Sequence, residues 1–294
     1  MREQLNKPSV ATTEVAESGR PLPPAVLRER VGIPESSLSP EEAYLEQGKA
    51  LRRAIEQCLG PDWDWRSKKV LDFGCGAGRV IRHFFDEASA AEFWGCDIDG
   101  PSIEWCQNAL SPPMTFFATG EEPPLQAPSD HFDLVYALSV FTHITSHWAP
   151  WLMELHRVTA PGGLILATFM GEGMSLRISG EAWNEDRVGM NVYFAGQTWD
   201  RGGPMVLHSP WWIREHWGRL FSVELLEDNY FGAGEPGVGQ DNHGVVLLRK
   251  TDRQAGLDEL TRAEPSERRE LSALEHEVEH LRAEVALLRR ELQK

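Results

Sequence analysis

Residues 39–59, SPEEAYLEQGKALRRAIEQCL, place Tyr44, Leu45, Leu51, Ile55 and Leu59 at helical spacing. Ser39 at the N-cap, Pro40 in the first turn and Glu42 three residues on form a capping box, so a helix is predicted to start at this point. From Lys69 the pattern changes, and short apolar runs alternate with helical stretches. KVLDFG, EFWGCDID, MTFFAT, HFDLVYALSVF and LILATF read as strands. Helices are predicted from Arg79, through SIEWCQNAL, and through WAPWLMELHRV, where Trp148, Trp151, Leu152, Leu155 and Val158 share one face and APGG stops the helix. Such alternation predicts parallel strands joined by right-handed crossovers. The pattern breaks over residues 170–209 and resumes with a helix at PWWIREHWGRLF and two strands, FSVELLEDNY and HGVVLLRK. A glycine-rich loop without a helix joins these two, so they are predicted to pair antiparallel.

The flanks differ from this body. Residues 1–38 have no sustained period and many proline and small polar residues, which predicts a mobile tail ahead of a domain over 39–250. Residues 251–265 are polar and contain Pro265, as a linker would. Within 266–294, Leu271, Leu274, Val278, Leu281, Val285, Leu288 and Leu292 recur at 3-4 spacing, a heptad seam. With Leu271, Val278, Val285 and Leu292 at a and leucine at every d, the seam favours two parallel strands, and Glu277 meets Arg282 and Glu284 meets Arg289 across it. A parallel homodimer through 271–292 is the leading expectation. Docking of this helix on its own domain, or on a different protein, stays open.

Charge narrows the partners. Lysine and arginine number 29 against 45 aspartates and glutamates, a formal net charge of −16 that would repel a polyanion, so nucleic acid is not expected as substrate. No apolar stretch approaches the roughly 20 residues that span a bilayer, and the first residues lack the apolar core of a secretion signal. A cytoplasmic, soluble protein is the expectation. Cys58, Cys75, Cys96 and Cys106 form no CxxC pair, and no His/Cys/Asp cluster has metal-ligand spacing, so neither disulfides nor a metal is expected.

The chemistry concentrates in VLDFGCGAGR, residues 70–79. Glycines at 74, 76 and 78 let the chain turn tightly behind a buried strand, at the carboxyl edge of a parallel sheet where ligands bind. Asp97 closes the second strand, where a carboxylate can accept both hydroxyls of a ribose. A nicotinamide cofactor and S-adenosylmethionine fit these features equally. Two others separate them. Arg79 stands where G-x-G-x-x-G would need its third glycine, and Asp72 ends the first strand one residue before the turn, a place that suits an ammonium or sulfonium cation better than a pyrophosphate. The closing antiparallel pair of strands is also unusual in a dinucleotide fold.

Taken in order, VLDFGCGAGR, GCDID, PPL followed by FDLVYALSVFTHI, and WLMELHRVTAPGGLILATF resemble the successive motifs of class I S-adenosylmethionine-dependent methyltransferases, over roughly residues 40–250. Within that class the chain is most similar to bacterial small-molecule and sugar enzymes often found near glycosyltransferases. The resemblance implies an α/β, Rossmann-like domain with a seven-stranded, mostly parallel sheet ordered 3-2-1-4-5-7-6, strand 7 antiparallel, here followed by the C-terminal coiled-coil helix. It implies that Gly74, Cys75 and Gly76 cradle the methionyl part of the cofactor, that Asp72 lies near its amino group, that Asp97 holds the ribose and that Ile98 flanks adenine. The adenine amine would be met by Thr119, Gly120 or Glu121 in ATGEEPPL. Ser139 would lie near the sulfonium, and Tyr44 would either fold over the methionyl end or pack in the core.

An oxygen or nitrogen acceptor must lose a proton on methylation, which a histidine can take. His143, just after the fourth strand, is the leading candidate, with His147 and His208 behind it. The 170–209 insertion follows the fifth strand at the ligand edge and is the expected acceptor lid, with Trp183, Tyr193 and Trp199 available to stack on a sugar or aromatic ring or else to anchor the loop. The expected function is methyl transfer to an oxygen or nitrogen of a small molecule, a glycan or specialised metabolite. A catalytically inactive cofactor-binding or scaffold module is the alternative, and an NAD-dependent oxidoreductase a weaker one.

Overall fold

The computed structural model describes residues 20–31, 38–230 and 242–291. Its centre is a run of five parallel strands, β1 (Lys69–Phe73), β2 (Glu92–Asp97), β3 (Thr115–Ala118), β4 (Phe132–Ala137) and β5 (Thr159–Met170), in the order β3-β2-β1-β4-β5. β9 (His243–Lys250) runs antiparallel to β5, and β8 (Phe221–Glu227) pairs antiparallel with β9. This is the expected 3-2-1-4-5-7-6 order with its antiparallel last strand. Neighbouring apolar residues on one strand serve opposite faces. Val70, Leu134 and Leu164 pack with α2 (Pro40–Leu59) and α3 (Gly100–Ala109), while Leu71, Val135 and Ile165 pack with α4 (Trp148–Val158) and α6 (Pro210–His216). Both faces of the sheet are covered, which is why its strands read as continuous apolar runs.

The 170–209 insertion is folded, not a loop. It contributes α5 (Glu172–Ser179) and a hairpin of β6 (Met190–Tyr193) and β7 (Met205–His208), with β7 joined parallel to the end of β5 at Met170 and Leu207. After the glycine turn, the predicted helix from Arg79 is replaced by successive turns and a short 3-10 segment, Ile81–Phe84, because bonds such as His83 N–H to the Val80 carbonyl close over three residues and not four.

The described parts of both flanks pack on the domain. Part of the 1–38 tail packs on the domain: α1 (Ala25–Arg28) and the turn Glu29–Val31 bury Leu22, Leu27 and Arg28. Residues 1–19 and 32–37 of that tail lie outside the described residues, as do the 231–241 loop and Leu292. The 251–265 linker is also packed, through Leu260 in α7 (Leu257–Thr261), which is fully buried and offers its carbonyl to Arg219 and His216. α8 (Arg269–Glu291) lies against the domain, with Ala273 and His276 buried and Glu270 paired to His216 at 3.0 Å. The docked side carries heptad positions c, f and g. Seam residues Leu271, Leu274, Val278 and Val285 face the opposite way and are exposed. Among the described residues no helix is long and apolar enough to cross a membrane.

Candidate active site

The glycine turn is fastened to the end of β2 by backbone bonds. Gly74 and Cys75 both donate N–H to the Cys96 carbonyl, at 2.8 and 3.0 Å. Gly76 donates to Oδ2 of Asp97 at 2.7 Å, and Asp99 N–H takes Oδ1 at 2.8 Å. Gly74 and Gly78 have φ of 84° and 74°, and a Cβ at Gly74 would collide with the Val140 side chain. Thr119 N–H reaches the Asp97 carbonyl at 2.9 Å, so the end of β3 sits beside the ribose candidate, with Ile98 half-buried next to it. Asp72, Gly74, Cys75, Gly76, Asp97, Ile98 and Thr119 are therefore brought together at one edge of the sheet.

α2 lies hard against this turn. The Tyr44 hydroxyl donates to the Ala77 carbonyl at 3.0 Å, Arg79 donates to Gln47 at 2.5 Å, and a Cβ at Gly48 would strike the Arg79 carbonyl. Tyr44 is fully buried, so its place is that of a clamp on the turn. Sequence reading missed the strap outside it. Arg28 pairs with Glu41, Arg30 pairs with Asp99, and Arg82 donates to the Pro21 carbonyl at 2.6 Å, which pins residues 20–31 across the turn. No short-range signal marks those contacts, since each joins residues far apart in the chain.

Burial raises the Asp72 carboxyl to about 8, with the Tyr136 hydroxyl beside it pulling the other way, and Oδ2 of Asp72 has no hydrogen-bond partner among the described residues. A buried carboxyl with an open oxygen, next to glycines that bring the backbone close, fits the ammonium end of S-adenosylmethionine. Asp97 is also raised, by burial, against the opposing effect of its two backbone donors. Each of its oxygens keeps a further lone pair for a ribose hydroxyl.

The end of β4 supplies the other half. Ser139 is an exposed residue with φ of 57°, its N–H donates to Thr168 Oγ1 at 2.7 Å, and its Oγ lies 3.5 Å from Nδ1 of His243. His243 opens β9 at this same edge, a neighbour that strand prediction alone does not reveal. His143 Nδ1 is 2.8 Å from the Pro204 carbonyl. A carbonyl only accepts, so Nδ1 carries the proton and Nε2 the lone pair, and burial lowers the imidazole below its usual range, which keeps it neutral. His147 instead meets Glu122 at 3.3 Å.

His208 is not placed as a base. It is fully buried between Trp212 and Trp217, neither ring nitrogen has a hydrogen-bond partner among the described residues, and burial lowers it to about 3. Of the lid aromatics, Tyr193 is buried among Met170, Met174 and Ile178, with its ring 4.4 Å from that of His280, so it anchors the lid and is closed to an acceptor. Trp183 packs at the margin of the same cluster. Trp199 is 43% exposed, in a turn whose Gly203 lies against His143, and is the most open of the three. Among the described residues no group of His, Cys, Asp or Glu could hold a metal ion.

Comparison with known proteins follows the same lines. Residues 70–163 match the methyltransferase domain family. A phthiotriol/phenolphthiotriol dimycocerosates methyltransferase of Mycobacterium ulcerans is 30% identical over 124 residues, 42% of this chain and 43% of the relative. A malonyl-(acyl-carrier protein) O-methyltransferase of Pseudescherichia vulneris is 27% identical over 159 residues, 53% of this chain and 61% of the relative. The chain thus spans less than two thirds of the length of either. A crystal structure described as that of an S-adenosylmethionine-dependent methyltransferase from Listeria monocytogenes shares the fold, with a TM-score of 0.51 at 13% identity over 72% of this chain and all of that one. Domain match and fold agree: residues 70–163 are a methyltransferase domain, and the chain resembles S-adenosylmethionine-dependent methyltransferases in motif order and fold.

Proposed function

We propose that this chain transfers a methyl group to an oxygen or nitrogen of a small organic acceptor, a glycan or specialised metabolite, with oxygen favoured by the name of the malonyl-(acyl-carrier protein) O-methyltransferase it resembles. The observation that carries this is the buried Asp72 carboxyl with an open oxygen beside the glycine turn. Asp72 holds the ammonium, Gly74, Cys75 and Gly76 line the methionyl part, Asp97 holds the ribose, and Ile98 and Thr119 flank adenine. When bound, the cofactor supplies an activated methyl group. The chain's own work is to orient the acceptor for in-line attack, exclude water and take a proton. His143 Nε2 takes the acceptor's proton, Ser139 orients the acceptor from the end of β4, and Trp199 covers it from the lid.

Calorimetric titration with S-adenosylmethionine tests this reading. The wild type should bind, and Asp97→Ala should weaken binding by about 100-fold, the scale of losing hydrogen bonds to a charged group. No binding by the wild type, or an unchanged mutant, would remove the assignment.

A second copy is the proposed occupant of the α8 seam, as a parallel homodimer. Its support is that Leu271, Leu274, Val278 and Val285 stay exposed in the single chain at heptad spacing. Light scattering of the full chain carrying Leu274→Glu and Val278→Glu should report a monomer where the wild type is a dimer. A monomeric wild type, or a dimeric variant, would refute it.

A further inference from the structure

α8 does more than lie on the domain. Its Glu277 carboxylate accepts the Val192 N–H at 3.0 Å and the Asn191 side-chain amide at 2.9 Å. Val192 belongs to β6, the outer strand of the lid hairpin, whose far edge would otherwise present unpaired N–H groups. Around this contact the helix touches the lid at several points. His280 packs on Tyr193, His276 meets Glu181 at 3.5 Å, and Arg269 meets Glu185 at 2.9 Å.

The hairpin passes this restraint inward. Val192 is the register partner of Val206 in β7. Val206 sends its own N–H away from β6, to the Thr142 carbonyl at 2.9 Å, and two residues earlier the Pro204 carbonyl takes His143 Nδ1. From Glu277 to His143 the path is thus one ladder pair wide: carboxylate, Val192, Val206, and the loop after β4. The Asn191 side chain, 1% exposed, also accepts the Gly189 N–H at 3.0 Å, and the Gly189 carbonyl accepts the Ser209 N–H at 2.8 Å, so Glu277 also steadies the far end of the hairpin.

We infer that Glu277 is a positioning residue for methyl transfer: through the β6–β7 hairpin, the C-terminal helix sets the lid and holds His143 in the tautomer that leaves Nε2 free to accept a proton. This rests on the proposed roles of the lid and His143. It reverses what the linear order of the chain implies, since the cofactor residues all precede Lys250 while the acceptor half of the site extends into α8.

The test uses the full chain. Hydrogen exchange by mass spectrometry follows the 188–208 amides, and nitrogen-15 NMR of labelled histidine reads the His143 tautomer. Glu277→Ala should raise exchange of the Val192 and Val206 amides by about tenfold or more, as expected when a hydrogen bond to a charged group is lost, and should populate both His143 tautomers. S-adenosylmethionine affinity by calorimetry should stay within about twofold, because the glycine turn lies outside this path. Glu277→Gln, which keeps a neutral acceptor for Val192, should restore most of the protection and the single tautomer. Unchanged exchange and tautomer in Glu277→Ala, or a Glu277→Gln chain as perturbed as Glu277→Ala, would overturn the inference. Failure of the wild type to bind S-adenosylmethionine would instead remove the methyltransferase reading and leave the exchange result standing.

Discussion

Asp97, the last residue of β2, accepts the Gly76 N–H at 2.7 Å, so the carboxylate assigned to the ribose also closes the glycine turn. The two duties separate on substitution. Asp97→Asn keeps an oxygen for Gly76 but gives up the second charged acceptor. It should cost about 1 kcal/mol of stability in urea unfolding while weakening S-adenosylmethionine by a larger factor, about tenfold or more. Equal free-energy losses in the two measurements would mean that Asp97 acts only on the turn.

Cofactor binding should depend on pH through Asp72. In the free protein its carboxyl titrates at about 8 and is protonated below that; an ammonium in contact favours the anion, so binding expels a proton. Affinity should therefore rise with pH, by at most about tenfold per unit from pH ~6 to ~8, and flatten above. Titrations in buffers of different ionisation enthalpy would count the released proton, and Asp72→Asn should abolish the release. A flat profile in the wild type contradicts the assignment of Asp72 to the ammonium.

His208 should make the fold sensitive to acid. Its folded value is depressed to about 3 from an ordinary 6.5, so the stability linked to the neutral ring is complete above 6.5 and is lost as pH falls toward 3, at about 1.4 kcal/mol per unit once the unfolded state is protonated. His208→Leu removes that linkage and should lower the midpoint of acid unfolding, followed by near-UV circular dichroism, with stability at neutral pH changed by less than about 2 kcal/mol. A midpoint that does not move would show that other groups set the acid limit.

His143→Ala should lower turnover far more than cofactor affinity, since a base acts only when the acceptor gives up its proton; a loss of about 100-fold or more in turnover is the expected scale. Turnover can be followed as acceptor-dependent formation of the demethylated cofactor product in a small-molecule extract, beside calorimetry with S-adenosylmethionine. Equal losses in both, or none in either, would take His143 out of the reaction.

Removal of residues after Lys250 should destabilise the domain, because Leu260 and Ala273 are buried against it and His216 would lose both Glu270 and the Leu260 carbonyl. A loss of at least about 2 kcal/mol in denaturant unfolding is expected from uncovering two apolar side chains and a buried imidazole. Unchanged stability would mean that this segment does not hold the domain together.

The sequence by itself determined what depends on near neighbours. The Ser39–Glu42 capping box, the two-faced pairs such as Val70 and Leu71, the glycine turn with Asp72 before it and Asp97 after it, and the antiparallel closing strands are signals spread over a few residues, and the fold preserves each of them. Tertiary structure alone decided questions that turn on contacts distant in the chain. His143 and His208 are similar candidates in the linear order, yet one is held at Nδ1 by Pro204 and the other is sealed between Trp212 and Trp217. Tyr193 and Trp199 are both lid aromatics, but only Tyr193 alternates into the buried face of the hairpin. The heptad seam was legible in α8, but its opposite face was not, because a helix shows its apolar stripe in sequence while a polar face gives no sign that Glu277 and His280 will meet a strand edge some 85 residues away.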